Sequence, residues 1–142
     1  MVVLLDTGIL YAYYDRADRW HSAAVEVVTA HSGGLVVPAP VIPEVDHFLG
    51  ARLGGEARRV FYESLAGGHF FIADLPAAGY ARVAALDRQF SSLELGFVDA
   101  AVLAIAESLD VRRIATTDRR DFGAVAAELS LELVPVVPRG DR

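Results

Sequence analysis

The chain has 142 residues, 54% of them hydrophobic, which suits one domain that buries a sizeable core without disulfides or a bound cofactor. It carries no cysteine, which excludes a disulfide scaffold, a cysteine nucleophile and a cysteine-based zinc site. The net charge of −6 argues against a protein that grips nucleic acid through bulk positive charge, and all 13 basic residues are arginine.

Val2–Leu5 is a short apolar run, bounded by Asp6-Thr7-Gly8, and predicts a buried strand. Ile9–Tyr14 predicts a short helix. Asp18–His31 predicts a second, with Trp20, Ala23, Ala24, Val27 and Val28 at helical spacing and Gly33-Gly34 as its stop. Leu35–Val37 predicts the second strand. The next helix opens at Pro40 or Pro43, since proline costs little in a first turn, and runs to about Leu53 before Gly54-Gly55. Glu56–Leu65 predicts a further helix closed by Gly67-Gly68. His69–Ala73 reads as the third strand, Ala77–Phe90 as an alanine-rich amphipathic helix and Phe97–Leu109 as a strongly apolar one. Arg113–Ala115 is a fourth strand, Phe122–Leu129 a last helix and Glu132–Val136 a final strand, with Pro138–Arg142 a loose tail.

Strands that alternate with helices imply a mainly parallel sheet with helices on both faces. The expected fold is therefore a three-layer α/β/α sandwich, one domain over residues 1–142. No basic stretch precedes the first apolar run, Asp6 interrupts it, and no stretch approaches the ~18 apolar residues of a membrane span. The expectation is a soluble cytoplasmic protein with no membrane partner.

In an open parallel sheet, ligands bind outside the carboxyl ends of the strands. Asp6 directly follows the first strand and Asp118 follows the fourth. Glu44 opens the helix after the second strand, and Asp99 sits within the apolar Gly96–Leu103 segment before the fourth. Each acid alone has a plainer reading. Asp99 or Asp118 could cap a helix, Asp6 could begin a turn, and Glu44 could complement a helix N-terminus. Four separate caps need not fall on one sheet edge, so their convergence favours a site. Two carboxylates 4 Å apart repel by about 4 kcal/mol at an effective dielectric near 20. Such a cluster needs protonation or a cation, and a hard divalent ion such as Mg²⁺ or Mn²⁺ suits carboxylate ligands.

Four stretches carry a resemblance. They are Leu5-Asp6-Thr7-Gly8-Ile9-Leu10, Pro43-Glu44-Val45, Phe97-Val98-Asp99-Ala100, and Ala115-Thr116-Thr117-Asp118-Arg119-Arg120-Asp121-Phe122. In this order the chain resembles the PIN-domain family, in particular its VapC-type toxin branch. The resemblance spans nearly the whole chain and implies a PIN-like fold and a metal-dependent endoribonuclease. It implies an acidic metal site made of Asp6, Glu44, Asp99 and Asp118, with Asp121 auxiliary and Thr7 and Thr116 bracing ligands or water. It further implies RNA cleavage to 5′-phosphate and 3′-hydroxyl ends, a homodimer, and a cognate antitoxin protein that blocks the site. The lysine some relatives carry near the site is absent here, so any cationic role falls to arginine or the metal. Arg119 and Arg120, which follow Asp118, are the candidate RNA-binding residues.

Two other readings compete. A phosphatase or receiver-type domain also uses an aspartate after a strand, but generally needs a lysine for the phosphoryl oxygens. A non-catalytic PIN-like module retained for dimerisation or antitoxin binding would share the fold and cut nothing. Other constellations are weaker. Glu44-x-x-His47 lacks the second copy a di-iron bundle needs. His21, His31 and His69 have no metal-type spacing, and no serine elbow or phosphate-binding glycine loop is present.

Overall fold

Strand β1 (Val3–Leu5) lies at the centre of a parallel sheet whose order is β3-β2-β1-β4-β5. Its neighbours are β2 (Leu35–Pro38) and β4 (Arg113–Ala115), with β3 (Phe71–Ala73) and β5 (Glu132–Val134) at the edges. Leu4 is in register with Val36 on one side and Ile114 on the other. The computed structural model describes residues 1–135.

Seven helices connect the strands. They are α1 (Thr7–Tyr14), α2 (His21–Ala30), α3 (Ile42–Arg52), α4 (Gly55–Ala66), α5 (Gly79–Gln89), α6 (Gly96–Ser108) and α7 (Asp121–Leu129). Crossovers between parallel strands are right-handed. With this strand order, α1–α4 fall on one face and α5–α7 on the other. The contacts agree: α1 packs on α2 and α3, α3 on α4, and α5 on α6. The expected three-layer α/β/α sandwich is therefore the observed fold, and the strands are buried because both faces are covered. In α6 every residue from Ala100 to Ala106 is buried, as expected of a helix that is apolar all round.

The structure trims several predicted elements. The second helix begins at His21, not Asp18. The Asp18 carboxylate accepts the Trp20 N–H at 2.8 Å and its carbonyl accepts the His21 N–H at 3.0 Å, making a turn that competes with helix. The third strand starts at Phe71 rather than His69, and α5 at Gly79 rather than Ala77. A 3₁₀ turn over Ala39–Val41 holds Pro40, leaving Pro43 in the first turn of α3. The last strand ends at Val134, while Val136 and the predicted tail at Pro138–Arg142 lie outside the described residues.

One glycine couples the two strands that frame the site. A Cβ on Gly8 would stand 2.1 Å from Thr117 Oγ1, so the first turn of α1 touches the loop after β4. Gly8→Ala should lower stability by about 1–3 kcal/mol through overpacking. Denaturant melts of Gly8→Ala and of Gly8→Ala/Thr117→Ala check this, because removing the Thr117 hydroxyl should recover most of the loss.

Candidate active site

The strand order reverses between β1 and β4, and the crevice outside their carboxyl ends is the favoured ligand position in such sheets. Asp6 leaves β1 here, its N–H donating to the Ala115 carbonyl of β4 at 2.9 Å. It occupies the N-cap position of α1, yet its side chain makes no capping hydrogen bond. Its carboxylate instead accepts the Thr116 hydroxyl at 2.9 Å, and both residues are buried. The same Thr116 oxygen accepts the Asp118 N–H at 3.0 Å. One threonine therefore joins the acids of two strands.

The other acids arrive on helix first turns. Glu44 opens α3 and accepts the Thr7 hydroxyl from α1 at 2.6 Å. Asp99 lies in the first turn of α6, where the N-cap position belongs to Leu95, so the capping reading of Asp99 fails. Asp118 does serve its plainer role in part: one of its oxygens accepts the Asp121 N–H, at 3.0 Å, where α7 begins.

Burial raises the Asp6 carboxyl to about 6, against the favourable Thr7 N–H and Thr116 hydroxyl, and the charges of Asp118 and Glu44 add to the rise. Asp99 is pushed up to about 7, first by burial and then by the charges of Asp6, Asp118, Glu44 and Asp121. The structure thus brings all five sequence-predicted acids into one electrostatic neighbourhood, and its strongest charges on Asp99 are negative.

A family model described as PIN domain matches residues 3–128. The chain belongs to the PIN-domain family. Ribonuclease VapC26 of Mycobacterium tuberculosis is 32% identical over 123 residues, covering 87% of this chain and 91% of that relative. The VapC-type resemblance drawn from the motifs is borne out by that similarity. Two solved structures share the fold. VapC20 of M. tuberculosis, described as a sarcin–ricin loop cleaving toxin, has a TM-score of 0.78 at 17% identity, over 86% of this chain and 94% of that one. A toxin–antitoxin complex from Klebsiella pneumoniae has a TM-score of 0.71 at 20% identity, over 94% and 96% of the two chains.

Among the described residues of this PIN domain, no three acids or histidines converge tightly enough to form a ready-made metal cage. Mg²⁺ does not require one, since it keeps several waters and binds through one or two carboxylates plus substrate phosphate. The donor set fits such an ion: carboxylates only, two of them with raised pKa values in the absence of a cation, and threonine hydroxyls already orienting Asp6 and Glu44.

The candidate RNA-binding arginines divide. Arg119 Nη2 donates to the Pro135 carbonyl, and the guanidinium lies 5.5 Å from the centre of the Trp20 ring. Its Nε is buried without a hydrogen-bond partner, and desolvation lowers its pKa. Arg119 therefore fixes the loop after Asp118 against α2's leading residue and β5, whereas Arg120 is exposed. Several other arginines are already engaged. Arg58 pairs with Asp46 at 2.9 Å, Arg113 with Glu132 at 3.0 Å, and Arg52 lies over the Tyr11 and Phe48 rings. Two of the histidines that lack metal-type spacing face backbone carbonyls: His21 Nδ1 lies 2.8 Å from the Ala12 carbonyl and His31 Nδ1 2.9 Å from that of Val27. Sequence reasoning missed the Trp20–Arg119 contact, because nothing in a lone tryptophan between Arg19 and His21 points to a loop almost a hundred residues on.

The raised carboxyls have a defined linkage. Asp6 and Asp99 hold protons in the folded state at pH values where the unfolded chain, with carboxyls near 3.8, has lost them. Their contribution to stability is therefore greatest near pH 4 and declines as pH rises through about 6 and about 7. In EDTA, the melting temperature should fall between pH 5.5 and 8. Asp99→Asn should flatten that fall and stabilise the ion-free protein at pH 8 by on the order of 1–3 kcal/mol. Added Mg²⁺ or Mn²⁺ should raise the wild-type melting temperature and affect Asp99→Asn less. Calorimetry at the two pH values checks all three.

Proposed function

We propose that this PIN domain is an endoribonuclease dependent on Mg²⁺ or Mn²⁺, the toxin of a toxin–antitoxin pair. The observation that carries this reading is the buried Asp6, braced by Thr116 and coupled to Glu44, Asp99 and Asp118 at the carboxyl edge of β1 and β4. A module that only binds a partner has no use for a buried carboxyl held against neighbouring negative charge, so nothing favours the non-catalytic alternative. The phosphoryl-aspartate reading lacks its cation, since the chain has no lysine.

Asp6 and Asp99 would hold the metal, and Glu44 and Asp118 would hold it directly or through water. Bound there, a divalent ion would supply a lowered pKa for water and stabilisation of charge on a phosphoryl centre. Thr116 and Thr7 hold the Asp6 and Glu44 carboxylates in place, so that little reorganisation accompanies reaction. Glu44 and Asp118 would also help orient the attacking water. In the reaction, the water oxygen bonds to phosphorus, the P–O3′ bond breaks, and O3′ leaves as a hydroxyl after taking up a proton. The products carry a 5′-phosphate and a 3′-hydroxyl.

Similarity to Ribonuclease VapC26 supports RNA as substrate, and likeness to a toxin–antitoxin complex supports an antitoxin partner. A homodimer acting in the cytoplasm completes the reading. Among the described residues, no helix is long and apolar enough to cross a membrane.

Purified protein should cut single-stranded RNA with Mg²⁺ or Mn²⁺, stop in EDTA, and yield 5′-phosphate ends. Asp6→Asn and Asp99→Asn should each abolish cutting. Thr116→Val should lower activity or metal affinity by about 10–100-fold, as loss of a ligand's supporting hydrogen bond does. Gel assays with end mapping read each outcome; a folded wild-type protein inert in both metals would instead support the binding module.

A further inference from the structure

Two large rings stand in the open where α5 and α6 begin. Tyr80 in the first turn of α5 is 59% exposed and Phe97 in the first turn of α6 is 51% exposed. Their ring centres are 6.2 Å apart and their planes 25° from parallel. They border an open-mouthed cavity of 330 Å³ that Val83, Ala84, Asp87 and Ala100 also line. That volume is within the ~300–1,000 Å³ of small-molecule pockets.

We propose that the Tyr80–Phe97 pair, with Asp87 at its rim, binds one unpaired nucleobase of an RNA whose backbone lies at the acidic site. This deepens, and rests on, the nuclease reading above. Phe97 and Asp99 are two residues apart on one helical turn, so their side chains leave α6 about 200° apart around its axis. The end of one helix, roughly 10–12 Å across, therefore separates the rings from the acids. A single strand bound at the acids would pass over that helix end to reach the rings.

The chemistry of the cavity selects its occupant. Unpaired bases are recognised by stacking on aromatic rings, which tolerates any base because each has a π-face. Asp87 is exposed and makes no hydrogen bond or ion pair among the described residues. A carboxylate repels phosphate, so the backbone is not the occupant. It accepts hydrogen bonds from the exocyclic amines of cytosine, adenine and guanine, whereas uracil's ring donor, N3–H, lies between two carbonyl oxygens that repel a carboxylate. The site thus favours an amine-bearing base. Arg82, two residues after Tyr80, is held by Glu107 of α6 at 2.7 Å, which ties the two helices that carry the rings.

The test follows cleavage of fluorophore–quencher single-stranded RNAs, one of mixed sequence and one of uracil only, with Mn²⁺. Tyr80→Ala and Phe97→Ala should each lower kcat/KM on the mixed RNA by roughly 5- to 150-fold. Tyr80→Phe and Phe97→Tyr should remain near wild type, since each keeps a ring. Asp87→Asn should bring the kcat/KM ratio of mixed to uracil-only RNA closer to one. Melting temperatures and light-scattering masses accompany every variant, and both should match wild type. Alanine variants that cut as fast as wild type overturn the proposal. So does a lower mass, which would assign the rings to contact between copies of the chain. A wild type that cuts no RNA sinks the nuclease reading itself, an outcome distinct from an active wild type indifferent to these rings.

Discussion

Like charges held close together in poor solvent are the constraint from which the rest of this molecule follows. Asp6 is nearly out of water, and the groups nearest Asp99 in electrostatic terms are other acids. Such an arrangement is unfavourable for folding alone. The sheet tolerates it because the surrounding framework is strongly apolar: β1 is buried throughout, and α6 is buried from Ala100 to Ala106. Each large apolar side chain so removed from water contributes about 1.5–3 kcal/mol, which offsets an unfavourable pocket at one edge.

The framework also limits how far the acids can relax apart. Asp6 is tied through its own N–H to β4 and through its carboxylate to Thr116. Thr116 in turn receives the Asp118 N–H, and Asp118 receives the N–H of Asp121. Thr7 reaches across to Glu44. These are neutral donors, so they orient the carboxylates without cancelling their charge. Arg119, the cation nearest in sequence, is turned toward Trp20 and Pro135. The pocket keeps its negative potential, and a divalent ion is the natural complement to it.

Much of this was legible in the sequence, for identifiable reasons. Short apolar runs such as Val2–Leu5 and Leu35–Val37, too brief for a helix, announce strands because a strand covered on both faces is apolar throughout. Asp6 and Asp118 stood out because strand ends and apolar neighbours make an acid anomalous there. Element starts were less legible. Periodicity extends the second helix back to Asp18, whose own carboxylate and carbonyl delay it to His21. What periodicity could not supply was partnership over long separations. Nothing in Thr116 announces a bond to Asp6, 110 residues earlier, and Gly8 gives no sign of its contact with Thr117. The arginines illustrate the same limit, since nothing along the chain pairs Arg58 with Asp46 or Arg113 with Glu132.

The central position of β1 bears on how the protein is made. Leu4 pairs with Ile114, and Asp6 meets Thr116, so the pocket joins residues translated 110 positions apart. While the ribosome is still elongating, the β1–β2–β3 half can pair, but the other wall of the crevice does not yet exist. Closing so long a loop is also slow relative to local structure. A nascent chain therefore holds Asp6 without Thr116 and Asp118 until β4 has been made, and the assembled pocket appears only once the segment beyond Asp118 has emerged.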